Sequence, residues 1–323
     1  MSSISKTNRH ILIDPIILET IVGAAELHPG EKVLEIGPGT GNLTEPLAQT
    51  GSTIVGVELD KRMTEYLSPL ETRYENLQID FGDALNRDLS KFEQIVSNIP
   101  FNISEPLILK MIDYNVPKAV LLVGESLVNY LEDPLEQGST LGFLASAHYT
   151  ITNVCPVPST AFHPEPSTDG AVLKLKAKTG HKDMQSYLIR HIWKHRHSRA
   201  GDAIKNAIVE LASEFGKSVD LNPILENMDI PEYLQNQRVK DMLNTDFTTL
   251  MYALYDSNTL SELKQQIKAG HRTGRKLRQP DISLELRSRN HTTRQIHRQK
   301  HEKSARAKRV AQLKFEAVME DPI

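Results

Sequence analysis

Asn98, Pro100 and Phe101 sit in the run Ser97-Asn-Ile-Pro-Phe-Asn-Ile-Ser104, directly after the apolar pair Ile95-Val96. The run offers an amide oxygen, main-chain carbonyls and an aromatic face in close succession. Pro100 fixes its own φ and pushes Ile99 into an extended conformation, so these groups stand on a stiff turn. An adenine amine is a poor nucleophile because its lone pair is delocalised into the ring. If Asn98 Oδ1 and the carbonyl of Ile99 or Pro100 accept its two N–H bonds, the nitrogen moves towards a tetrahedral form and its lone pair can attack an in-line methyl sulfonium. Such catalysis rests on positioning and electrostatics and requires no strong base. Phe101 supplies a stacking face for the base. Phe162, in the Pro-rigid loop Ser159 to Pro166, is a candidate for the other face, although simple packing explains it equally well.

A methyl donor needs its own cradle. Gly37-Pro-Gly-Thr-Gly41 follows the apolar stretch Val33, Leu34 and Ile36 and lets backbone approach a ligand closely. It lacks the third glycine of the dinucleotide fingerprint at the spacing that closes a helix on a pyrophosphate. A cofactor without phosphates fits better, and S-adenosylmethionine is one. Glu58 ends the next apolar run, where an acid accepts hydrogen bonds from ribose hydroxyls. Asp83, followed by Ala84, stands where a carboxylate receives the cofactor's adenine amine. A metal site is not expected.

The elements that position these groups alternate. Buried strands are expected at Val33–Ile36, Thr53–Leu59, from Leu77, at Ile95–Val96 and at Ala119–Val123. Helices are expected at Asp14–Leu27, with Asp14 as N-cap and Pro15 at the first helical position, and at Asn42–Gln49, Lys61–Leu70, from a Ser104 cap, Ser126–Leu131 and Leu141–His148. Tyr149–Val157 and Ala171–Leu175 read as further strands. This pattern predicts a mostly parallel α/β sheet. After a linker at Lys176–His181 the pattern is helical only: roughly Lys182–His195, Arg199–Phe215, a loop-rich Lys217–Pro231, then Phe247–Tyr255. Arg190, Lys194, Arg196, Arg199 and Lys205 are expected to give this part a basic side.

The 323 residues leave room for two domains and a tail, and the net charge of −3 hides an asymmetry. Lys264 to Lys314 holds 16 Lys and Arg against 3 Asp and Glu, leaving 22 basic and 38 acidic residues elsewhere. A basic tail on an acidic body suits a polyanionic partner. His271–Pro280 is expected to be disordered when free, and His291–Glu320 to form one basic helix. The single cysteine, Cys155, excludes a disulfide framework and a cysteine-rich zinc site. No apolar run is long enough to span a membrane, and residues 1 to 9 lack a secretory core. A cytoplasmic monomer is expected.

These residues resemble a known family, the rRNA adenine dimethyltransferases: KsgA-type small-subunit rRNA enzymes and the related Erm-type resistance methyltransferases. The resemblance spans about residues 8 to 255. It rests on Val33-Leu-Glu-Ile-Gly-Pro-Gly-Thr-Gly-Asn-Leu-Thr44, Gly56-Val-Glu-Leu-Asp60, Gly82-Asp-Ala84, Asn98-Ile-Pro-Phe-Asn-Ile-Ser104 and Phe162-His-Pro-Glu-Pro166. It implies a seven-stranded Rossmann-like methyltransferase sheet with a small C-terminal helical domain, here followed by a basic tail. The implied domains are 1–178 for S-adenosylmethionine-dependent transfer, 179–256 for RNA binding and 257–323 as the extension. It further implies that His10, Leu12, Gly37, Gly39, Glu58, Asp83, Ala84 and Asn98 hold S-adenosylmethionine. Asn98, Pro100 and Phe101 then act on the target adenine, with Phe162 opposite.

Arg199–Ala207 and Gln237–Leu243 are similar to the KsgA type's second domain. This implies dimethylation of two neighbouring adenosines near the end of small-subunit rRNA, during ribosome biogenesis, with rRNA or a ribosomal subunit as partner. The chain departs from the family at Thr7-Asn-Arg9, where Phe-Gly-Gln is usual, and at Phe101, where Tyr is commoner. It departs again at Gly124-Glu-Ser126 and Tyr130, where Gln-Lys-Glu and an Arg are usual. Three alternatives stay open: an Erm-like enzyme acting on large-subunit rRNA, a nucleic-acid-binding factor that has lost catalysis, and a small-molecule methyltransferase.

Overall fold

Strands that are apolar on both faces must be covered on both faces, and this dictates the architecture. In a computed structural model, which describes residues 10–179, 183–226, 228, 230–255 and 257–269, those strands form the centre of one sheet. After a two-residue strand β1 (Ile11–Leu12), the chain runs α1 (Pro15–Ala25), β2 (Lys32–Ile36), α2 (Thr44–Gln49), β3 (Thr53–Glu58), α3 (Thr64–Arg73), β4 (Leu77–Phe81) and β5 (Gln94–Asn98). It continues with α4 (Ser104–Tyr114), β6 (Lys118–Gly124), α5 (Glu125–Glu132), α6 (Pro134–Gln137), α7 (Thr140–His148), β7 (Tyr149–Val157), β8 (Phe162–His163) and β9 (Gly170–Ala177). Helices follow: α8 (Met184–Lys194), α9 (Ala200–Glu214), α10 (Leu221–Glu226), α11 (Glu232–Asn236), α12 (Asn244–Tyr255) and α13 (Ser257–Ala269).

The large sheet has seven strands in the order β4-β3-β2-β5-β6-β9-β7. The first five are parallel; β9 lies antiparallel between β6 and β7. The chain leaves β2 in one direction and returns at β5 in the other. Their carboxyl ends therefore open a crevice at the topological switch point.

Alternate residues send the core to opposite faces. Val33, Val96 and Val120 point towards α1, α2 and α3, among Ile21, Leu47 and Leu67. Leu34, Ile95 and Leu121 point towards α4, α5 and α7, and this side runs on through Ile189, Ile204, Phe247 and Leu263 of the later helices. Removing one of these side chains from water contributes about 1.5–3 kcal/mol.

Asp14 caps α1 as expected, accepting from the Ile16 and Ile17 amides, with Pro15 at the first position. Four local expectations change. The helix ends at Ala25, on a left-handed Glu26, before His28-Pro29-Gly30 is reached. Residues 40–43 form a turn ahead of α2. Ser104 is not a cap: a 3-10 turn over Phe101–Ile103 feeds straight into α4, and Ser104 is its first residue. The helical pattern does not stop at Tyr255, because α13 buries Leu263 and Ile267. The expectations for 271–280 and 291–320 lie outside the described residues.

Candidate active site

Each group singled out in the sequence stands at the end of an element. Gly37 and Gly39 follow β2, Glu58 ends β3, Asp83 and Ala84 follow β4, and Asn98 ends β5. His10, Leu12 and Phe162 arrive from the β1–β8 pair, in which Leu12 lies opposite Phe162. These nine, with Pro100 and Phe101, line one cavity of about 650 Å³ at the switch point.

The glycine turn is held by the acid. Gly37 has φ 71° and Gly39 φ 60°, a region where a side chain is strained. A Cβ on Gly37 would project towards Pro100, to 3.9 Å from its Cδ, narrowing the space between the two turns. Glu58 is buried; its Oε2 accepts the Gly39 amide at 3.0 Å and its Oε1 the Asp60 amide at 2.8 Å. Asp83 Oδ1 accepts the Leu85 amide and Oδ2 the Asn86 side chain, both at 2.8 Å, so a 3-10 turn fixes its carboxylate at the rim.

Sequence reasoning passed over Glu35, although it lies inside the glycine motif. Glu35 lines the cavity and is 2% exposed, and its Oε2 meets no hydrogen-bond partner among the described residues. Burial pushes its carboxyl up to about 8, the Thr44 hydroxyl opposes the rise and the Glu58 carboxylate adds to it. A buried acid kept short of partners is suited to a cationic amine. With the open glycine turn and a second carboxylate, Glu58, lining the same cavity, the donor set fits an amino-acid-bearing nucleoside such as S-adenosylmethionine.

The Asn98 turn is anchored from below. Ser97 Oγ donates to the Ile36 carbonyl at 2.5 Å and the Ile99 amide to the Leu122 carbonyl at 3.3 Å, tying the turn to β2 and β6. Ile99 is buried, while Phe101 is 36% exposed. The Pro100 carbonyl accepts the Ile103 amide at 3.0 Å and the Ser104 hydroxyl at 3.5 Å, which fixes its direction. The ring of Phe101 lies against Gly124, where a Cβ would come within 3.1 Å of its Cδ2. The glycine at 124 makes room for the ring.

The β1–β8 clasp was not foreseen. Phe162 is buried beneath it at 2% exposure, as a fixed wall of the cavity. The Asn42 amide donates to the Leu12 carbonyl at 2.9 Å, the Ile13 amide to Ala161 at 2.9 Å, and His10 Nδ1 to the Pro164 carbonyl at 2.8 Å. The clasp spans about 150 residues of sequence and its strands are two residues long, too short for a periodic signal.

The expected basic side is rearranged. Arg190 donates to the Ala147 carbonyl, Lys194 pairs with Glu210, and Arg196 pairs with Asp113. Another set gathers where residues 196–200 meet 237–240. Arg199 and Arg238 form an antiparallel bridge, and both are exposed, as are His197 and Lys240 in the adjoining turns.

A family model described as "Ribosomal RNA adenine dimethylase" matches residues 4–245. A probable ribosomal RNA small subunit methyltransferase A of Methanosarcina mazei is 31% identical over 256 residues, covering 77% of this chain and 92% of the relative. The protein of the same name from Thermococcus sibiricus is 29% identical over 257 residues, with 73% and 94% covered. Among solved structures, a dimethyladenosine transferase from Plasmodium falciparum is 27% identical with a TM-score of 0.51, covering 75% of this chain and 96% of that one.

Proposed function

This chain belongs to the ribosomal RNA adenine dimethylase family, and on that premise we propose that its cavity holds S-adenosylmethionine and the target adenine side by side. The reaction is transfer of methyl groups to the exocyclic amine of adenosines in rRNA, supported by the description of the family as an adenine dimethylase, with small-subunit rRNA, named for its relatives, as the substrate. The observation that carries the residue-level reading is the convergence of the glycine turn, Glu58, Asp83 and the Asn98 turn on one crevice.

Bound S-adenosylmethionine supplies an electrophilic methyl group on a sulfonium. Glu58 would take the ribose hydroxyls, and Asp83 the cofactor's adenine amine. Gly37 and Gly39 keep the backbone clear, while His10 and Leu12 close the N-terminal segment over the cofactor and Ala84 floors it. Glu35 faces the ammonium end. On the other side, Asn98 Oδ1 and a carbonyl of Ile99 or Pro100 accept the two N–H bonds of the target amine, and Phe101 stacks on its ring. The amine nitrogen is thereby presented in line, and this preorganised electrostatic fit is the principal catalytic device. The alkylated amine is strongly acidic and sheds its proton without a dedicated base. Phe162 backs the pocket.

Residues 1–178 form the transfer domain and the helices of residues 183–269 the RNA-docking domain, because α13 packs into the helical core through Leu263 and Ile267; the basic extension expected from residue 257 therefore starts later. Arg199 and Arg238 face each other with like charge, an arrangement that costs stability unless an anion lies between them. With His197 and Lys240 they suit an RNA phosphate. Among the described residues no helix is long and apolar enough to cross a membrane. We place the protein in the cytoplasm, as a monomer acting on a ribosomal-subunit precursor.

Incubation with methyl-labelled cofactor and each isolated ribosomal subunit tests the reading. Dimethyladenosine in small-subunit rRNA is expected. Labelling of the large subunit alone, or of neither, overturns it.

A further inference from the structure

Beside the active site lies a second cavity, of about 640 Å³, between α4, α5 and the first turns of α12. We propose that it receives an unstacked nucleobase next to the target adenosine, with Tyr130 as its stacking platform. The inference rests on the reading of this chain as an RNA methyltransferase and names a second contact with the same substrate.

The position follows from two short links. The turn that bears Phe101 runs directly into α4, whose second residue, Glu105, lines this cavity. The Phe101 ring lies on Gly124, and Tyr130 follows six residues along α5, roughly 9 Å at the helical rise. An RNA strand with its target base on Phe101 therefore reaches this cavity with a neighbouring nucleotide.

The lining selects a base over a phosphate. Tyr130 is 45% exposed and forms one wall, and Leu127 and Leu141 supply an apolar floor. The rim is built from uncharged hydrogen-bonding groups, among them Gln137, Asn244 and Thr248. Thr248 Oγ1 is buried without a hydrogen-bond partner among the described residues. The cavity has no Lys or Arg among its lining residues, and its one charged group, Glu105, repels phosphate while accepting from a base amine. Aromatic faces bind unstacked bases whatever their sequence, and polar groups at the edge read them. Tyr130 stands where the family usually has an arginine, so a stacking contact replaces a charge contact in this chain.

The test uses the full chain and nine-nucleotide RNAs with one central adenosine, either intact or abasic at one flanking position, with affinity read by fluorescence anisotropy. For the native protein, one flanking abasic site is expected to weaken binding roughly 5- to 150-fold, the range of a lost base–aromatic stack. Tyr130→Ala is expected to weaken the intact RNA similarly and to make the abasic site irrelevant. Tyr130→Phe, which keeps the ring, should bind like the native protein. Additive effects of Tyr130→Ala and the abasic site, or an unchanged affinity for Tyr130→Ala, would overturn the proposal. Methyl transfer to isolated small subunits is measured in parallel. Its absence in the native protein sinks the proposed reaction, whereas the anisotropy cycle still decides whether this cavity takes a base.

Discussion

The two halves of the crevice are built on opposite principles. On the β2–β3 side the protein satisfies itself: Glu58 holds the glycine turn through two amides, and the clasp of β1 on β8 closes the wall. On the β5–β6 side the backbone is anchored from beneath, but the working groups are presented outwards, with Phe101 and Tyr130 both substantially exposed. A small cofactor used in every turnover rewards a preformed mould. A large RNA brings its own shape and needs a platform on which one base can be laid. The difference teaches that rigidity is spent where the ligand is constant and exposure where the ligand must be extruded from a larger structure.

Four substitutions break or sharpen this contrast. The largest effect is expected from Asn98→Ala, which removes the amide acceptor on the presenting side. Methyl transfer should fall roughly 10²–10³-fold, the cost of losing one preorganised electrostatic contact, with the fold intact by circular dichroism. A variant with near-native kcat would show that Asn98 does not grip the amine.

Next comes Glu58→Ala on the moulded side. It leaves the Gly39 and Asp60 amides without their acceptor, a loss of about 1–3 kcal/mol for each buried group left unpaired. Cofactor affinity measured by calorimetry should drop at least tenfold and the melting temperature should fall, whereas kcat at saturating cofactor should change much less. An equal loss in kcat and in binding would erase the division between the halves.

Glu35→Gln gives a smaller effect with a distinctive pH signature. Native Glu35 keeps its proton up to about 8, while the unfolded chain releases it near the ordinary value of 4.5. Its contribution to stability is therefore complete below about 4.5 and declines as pH rises towards 8. His148 acts in the opposite sense: burial lowers it from 6.5 to about 4, so stability is lost as pH falls through that window. The ligand-free native protein should be most stable at mildly acidic pH. Glu35→Gln should remove the alkaline decline and keep the acid one, as read from melting temperature against pH. Persistence of the alkaline decline would assign it elsewhere.

The smallest effect is expected from Gly124→Ala. Its methyl group would press on Phe101 at 3.1 Å and move the ring by a few tenths of an ångström. A several-fold loss in kcat/KM for RNA, with cofactor affinity unchanged, is the expected outcome of so small a misplacement.

The moulded half was the more legible in the sequence. Val33, Leu34 and Ile36 make an unmistakable buried strand, and a glycine turn after a strand followed by an acid at the end of the next has few other uses. Asn98-Ile-Pro-Phe101 was legible for a similar reason, since proline and the preceding apolar run leave the turn little freedom. What stayed hidden depends on distance along the chain. The β1–β8 pairing, the gathering of Arg199 with Arg238 and the cavity beside Tyr130 each join segments far apart in sequence, and none has a local period. Glu35 was hidden differently: its place in an apolar strand was plain, but only three dimensions reveal that its oxygen meets no partner. The helix Ser257–Ala269 escaped because its few apolar residues are diluted by polar ones, and tertiary contact outweighs that weak pattern.

The clasp also sets a clock. Ile11 and Leu12 leave the ribosome before their partners, Phe162 and His163, which lie about 150 residues later. At about 5–20 residues per second, synthesis of the intervening chain takes roughly 8–30 s. Until then the glycine turn can form but the wall over it cannot. A chain cut short before Phe162 therefore carries the glycine motif without the wall beside it.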